Sequence, residues 1–138
     1  MSNNTITFIH AKVKAGFPSP ALDYMEERID LTKSFVSQPE YTFLFQCVGD
    51  SMINAFIPPK AYLLVDRSRK PVNGDIIVAA LNGEFTVKFL KMNQHKSWLV
   101  PANSKYKDLE ITAETDLNIF GVVTAVITPT DIVRQCMR

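Results

Sequence analysis

The dipeptide Asn82-Gly83 constrains this chain more than any other feature, because it separates two apolar, β-prone runs, residues 76–81 and 84–90, by only two positions. Both residue types tolerate positive φ, and the two-residue turns whose twist matches an antiparallel pair require it. The spacing therefore predicts a β-hairpin. Further short runs rich in Val, Ile, Phe and Thr lie at residues 41–48, 62–65, 98–100 and 117–127. Their length and composition read as strands. Asn73-Gly74, Pro58-Pro59 and Pro129 supply turns between them. The expected fold is mostly β, made of short twisted strands with one or two short helices.

The pattern changes near residue 40. Residues 1–39 mix polar side chains with few long apolar runs and read as an N-terminal arm with a short helical segment, whereas residues 40–138 read as a β-rich core. Within the arm, Pro18 and Pro20 hold residues 17–20 in an extended conformation. Ser19 as N-cap and Pro20 in the first turn predict a helix over residues 21–29, and Asp30 caps a second over residues 31–36. A chain of 138 residues holds one compact domain and is cramped for two.

Charge excludes some functions. Fifteen basic against fourteen acidic residues leave a net charge of +1, so a nucleic acid or an anionic membrane has to be recognised locally if at all. No run of about 20 apolar residues is present, and the polar start Ser2-Asn3-Asn4-Thr5 lacks the flank and core of a secretion signal. A cytoplasmic protein without membrane attachment is expected. Cys47 and Cys136 belong to no framework of spacings and read as reduced thiols, and His10 and His95 stand alone. Neither a metal site nor a cofactor is expected.

Gly49-Asp50-Ser51-Met52 follows directly on an apolar run, which puts the Ser51 hydroxyl at a strand end where the backbone turns. Asp and Ser after Gly are also ordinary turn residues, so the tetrapeptide alone does not make a nucleophile. Neither histidine is an obvious base for it, which disfavours a Ser-His-Asp triad. Lys88 is a different candidate, a single ammonium within the apolar run Phe85-Thr86-Val87-Lys88-Phe89-Leu90. At its reference pKa a lysine is neutral in only about one molecule in 2,500 at pH 7, so a role as base demands burial. Sheet edges also carry lysines simply to discourage unwanted pairing, and the residue types leave both readings open. If Ser51 attacks a carbonyl, the backbone N–H groups of Asp50 and Ser51 are candidates for holding the oxyanion.

Taken in order, Gly49-Asp50-Ser51-Met52, Gly74-Asp75-Ile76, Gly83-Glu84-Phe85-Thr86-Val87-Lys88 and Phe120-Gly121-Val122-Val123 resemble the LexA/UmuD family of self-cleaving Ser-Lys peptidases. The resemblance reaches from Ala15-Gly16 through Val123, nearer to the UmuD branch, and the ordered series is far more specific than any single motif. It implies the mostly β peptidase fold of that family, with Ser51 as nucleophile, Lys88 as general base and Ala15-Gly16 as the scissile bond. Cutting there leaves residues 16–138, with both dyad residues retained.

The resemblance further implies a homodimer, activation by RecA filaments on single-stranded DNA during the SOS response, and a cut form that joins a UmuC-type, error-prone DNA polymerase in translesion synthesis. With little chain before Ala15 for a helix-turn-helix, direct sequence-specific DNA binding is not expected. Two departures stand out: the arm before Ala15 is short for the UmuD branch, and Ala15 stands where some relatives carry Cys. Two other readings compete. One is a non-catalytic dimeric module that binds a polymerase, the other a signal-peptidase-like protease acting on other chains, for which the expected membrane anchor is missing.

Overall fold

The computed structural model describes residues 4–16 and 24–134. They belong to two compact units, Met1–Ser37 and Gln38–Arg138.

In the first unit, β1 (Thr5–Ile9) pairs antiparallel with β2 (Glu26–Asp30), from Thr5 opposite Asp30 to Ile9 opposite Glu26. This corrects the helix expected over residues 21–29: its second half is strand, and residues 17–23, including the segment expected to be extended, lie outside the described residues. The reason is tertiary. Arg28 donates to the Thr5 and Thr7 hydroxyls at 2.9 and 3.1 Å and to the Thr5 carbonyl at 3.0 Å, while Ile6 faces Ile29. Cross-strand pairing of this kind overrides a weak local helix preference. The second helix forms as expected: α1 (Leu31–Phe35) starts at Asp30, whose carboxylate accepts from the Lys33 N–H.

The second unit carries a seven-stranded sheet in the order β3-β4-β9-β5-β6-β7-β8, with every neighbouring pair antiparallel. Its strands are β3 (Thr42–Gln46), β4 (Tyr62–Asp66), β5 (Ile76–Leu81), β6 (Glu84–Met92), β7 (Ser97–Val100), β8 (Leu109–Ile111) and β9 (Leu117–Ile127); α2 (Thr130–Arg134) follows. The mostly β architecture expected from the sequence is what forms. The β5–β6 hairpin closes through Asn82 at φ 51° and Gly83 at φ 83°, the two positive angles its turn requires.

β9 is the spine, bonded to β4 on one side and β5 on the other. Its register shifts once against each neighbour, leaving Thr124 unpaired with β4 and Phe120 unpaired with β5. Such bulges bend a strand and sharpen its twist. The core forms two clusters. Cys47, Met52, Ile57, Ala61, Leu63, Val65 and Val78 make one, and Ile77, Ala79, Leu90, Leu99 and Val122 make the other. Neighbours Ile77 and Val78 fall in different clusters, as the alternation of side chains along a strand demands.

Candidate active site

After β3 the chain keeps the ladder for one more residue, with Cys47 N–H donating to Ala61 at 2.7 Å and Lys60 N–H donating to Cys47 at 2.8 Å. It then turns at Gly49, whose φ of 86° suits a residue without Cβ. Met52, only 1% exposed, anchors the far side of the turn in the core. Ser51 is thus fixed between a glycine corner and a buried methionine.

Lys88 lies on β6 opposite Ile77 of β5, half-buried. Its Nζ donates to Ser51 Oγ at 3.0 Å, to Thr86 Oγ1 at 2.8 Å and to the Val87 carbonyl at 3.1 Å. The edge-lysine reading does not fit, because β6 is an interior strand bonded to β5 and β7. Thr86 is two residues away and shares the strand face of Lys88. These contacts border a cavity of about 330 Å³ whose walls include Phe45, Cys47, Leu63 and Phe85. Burial pulls the Lys88 pKa below the ordinary lysine value, opposed only by the charge Cys47 carries when it is a thiolate, and burial pushes the Cys47 thiol up, opposed by the Lys88 charge. A neutral amine has two N–H donors and one lone pair. With Thr86 Oγ1 and the Val87 carbonyl taking the two hydrogens, the lone pair remains for the Ser51 hydroxyl proton.

The sequence family described as Peptidase S24-like matches residues 7–124. The chain belongs to that family. Protein SamA of Salmonella typhimurium is 40% identical over 124 residues, covering 90% of this chain and 86% of its own. Protein ImpA of Escherichia coli is 41% identical over 116 residues, 84% of this chain and 79% of its own. The LexA repressor of Carboxydothermus hydrogenoformans is 38% identical over 114 residues, 76% of this chain and 52% of the repressor.

In this S24-like peptidase, Ser51 and Lys88, 37 residues apart in sequence, are hydrogen-bonded. Ala15 and Gly16 are exposed at a bend in the first unit, in the connection between β1 and β2. His10 is bonded to Glu27 at 2.9 Å and stacked on Phe8 in that same unit. His95 is exposed, its N–H donating to the Asn93 side chain. Cys47 is free, and Cys136 lies outside the described residues. Among the described residues no group of three His, Cys, Asp or Glu could hold a metal ion, and no helix is long and apolar enough to cross a membrane.

Sequence reasoning missed the loop that follows β7. Ala102 N–H donates to the Ser51 carbonyl at 2.8 Å, Asn103 Nδ2 to the Asp50 carbonyl at 2.9 Å, and the Tyr106 hydroxyl to the Asp50 carboxylate at 2.5 Å. That last bond, with the Asp50 charge behind it, raises the Tyr106 pKa. Pro101-Ala102-Asn103-Ser104 reads only as a polar connection; its one local signal is Asn103, a residue that favours turns and side-chain bonds to the backbone.

Proposed function

We propose that this chain cuts itself between Ala15 and Gly16, with Ser51 as nucleophile and Lys88 as general base, in the manner of the LexA/UmuD peptidases. The 3.0 Å bond between Lys88 Nζ and Ser51 Oγ carries this reading. As Ser51 Oγ attacks the Ala15 carbonyl carbon, its proton passes to the Nζ lone pair. The carbonyl oxygen becomes an oxyanion facing backbone N–H groups of the Asp50-Ser51 turn. Collapse breaks the Ala15–Gly16 bond, and the Lys88 ammonium gives its proton to the departing Gly16 amine. Water then attacks the ester on Ser51 while Lys88 takes and returns a second proton, releasing the Ala15 carboxylate. The downward pull of burial on Lys88 supports the first step, since it raises the neutral fraction.

The biological role follows the family. The chain acts in the SOS response as a homodimer whose self-cleavage is stimulated by RecA filaments on single-stranded DNA, and the cut form joins a UmuC-type polymerase for translesion synthesis. Incubating the pure protein at alkaline pH, or with activated RecA, tests the chemistry: a new N-terminus at Gly16 is expected. Ser51→Ala and Lys88→Ala should each slow cutting by at least about 10³-fold, as loss of a residue from a nucleophile–base unit does. Equal cutting in both variants rules the dyad out, and absence of any cutting alongside intact polymerase binding favours the non-catalytic module.

A further inference from the structure

We infer that Asn103 is a positioning residue for the self-cleavage reaction, its side-chain amide orienting the Asp50–Ser51 peptide so that the Ser51 N–H faces the oxyanion. This rests on the reading of Ser51 as nucleophile. A trans peptide is planar, with its C=O and N–H on opposite sides, so whatever pins the Asp50 carbonyl also aims the Ser51 N–H. Two donors pin that carbonyl, Asn103 Nδ2 at 2.9 Å and Ile53 N–H at 3.2 Å. Among the described residues nothing accepts from the Ser51 N–H, which leaves it free for a reacting group.

The direction of the Asn103 amide is set by its own contacts. Its Oδ1 accepts from the Lys105 N–H at 3.0 Å, so the opposite end of the amide is the NH2 that meets Asp50. The Asn103 carbonyl accepts from the Tyr106 N–H at 3.1 Å, and the neighbouring Ala102 carbonyl from the Asn54 N–H at 2.9 Å, so the loop carrying the amide is tied at both ends. A donor on the Asp50 carbonyl also polarises the peptide and strengthens the Ser51 N–H as a donor. Asn103 therefore acts on the oxyanion through the peptide and does not touch the reacting atoms.

The test is Asn103→Leu in the full chain, which keeps the side-chain shape, removes the donor and introduces no charge near Lys88. Self-cleavage is followed as a first-order rate across pH. The plateau rate is expected to fall about 10- to 100-fold, at or below the cost of losing one oxyanion donor outright, while the midpoint of the pH profile, set by Lys88, stays in place. The second readout is binding of acetyl-Val-Lys-alaninal, an aldehyde that forms an oxyanion on adding Ser51 Oγ, compared with the amide of the same peptide. The aldehyde preference is expected to fall by a factor similar to the rate. That ratio is internal to each variant, so it reads the oxyanion even if Asn103→Leu is less stable. An unchanged ratio, an unchanged plateau, or a midpoint that moves with the rate overturns the inference. Continued cutting by Ser51→Ala instead overturns the nucleophile reading beneath it.

Discussion

At the scale of single residues, the site turns on an amine that is half-buried and hydrogen-bonded three ways. Burial puts the folded pKa of Lys88 below its unfolded value, so between the two values the folded chain binds fewer protons than the unfolded one. Stability therefore rises with pH across that window, and the penalty of the buried charge is fully present below the folded pKa. Lys88→Met, made in a Ser51→Ala background to prevent cutting, is expected to gain about 0.5–2 kcal/mol at pH 7, and to lose that advantage above about pH 10.4, where the unfolded amine is also neutral. Urea titrations at the two pH values measure it, and a loss of stability at pH 7 would mean that the three hydrogen bonds outweigh the burial. With Lys88 as the proposed base, the rate of self-cleavage is expected to climb with pH through a midpoint below the ordinary lysine range, which a pH–rate profile measures. Ser51 and Lys88 were legible in the sequence because they stand in an ordered series of motifs. Asn103 was not: it meets Asp50 across 53 residues, and its residue type marks a turn without naming that partner.

At the scale of elements, what could be read was whatever the local pattern dictates. β5 and β9 run over the expected residues, and the Asn82-Gly83 turn forces its hairpin. β1 went unseen within the arm and β2 was expected as helix, because neither gains its strand character alone; pairing across the residues between them supplies it. The bulges in β9 were equally invisible, being a relation between three strands, and so was the close approach of β4 to Gly121. A Cβ on Gly121 would stand 2.7 Å from the Asp66 carbonyl oxygen and 2.9 Å from Val65 Cγ1. Backbone cannot swing aside as a flexible side chain does, so Gly121→Ala is expected to cost about 1–3 kcal/mol, the usual range for overpacking. Chemical denaturation measures this against Gly74→Ala, where the cost comes from the φ of 94° and nothing lies within 4 Å of the added Cβ. A Gly121→Ala protein as stable as wild type would show that β4 and β9 separate more readily than their pairing implies.

At the scale of the molecule, the proposed cut falls in the connection between β1 and β2, so it removes the covalent link that closes the two-stranded ribbon. Five residue pairs hold that ribbon together, with Arg28 and the His10–Glu27 contact beside them. An isolated two-stranded ribbon is marginal in water. While the chain is whole, the connection of residues 10–25 keeps β1 near β2 at an effective concentration on the order of millimolar. After the cut that advantage is gone, and at micromolar protein the fragment of residues 1–15 is expected to leave. Size-exclusion chromatography of the cut protein under native conditions, with mass spectrometry of each fraction, should find residues 16–138 without the fragment, and hydrogen exchange at residues 26–30 should quicken. A disulfide between Ile6→Cys and Ile29→Cys, opposite each other in the ribbon, should keep the fragment attached after cutting and restore slow exchange. Co-elution of the unlinked fragment at micromolar concentration would mean that β2 holds β1 without the connection, and that cutting alone does not open the strand.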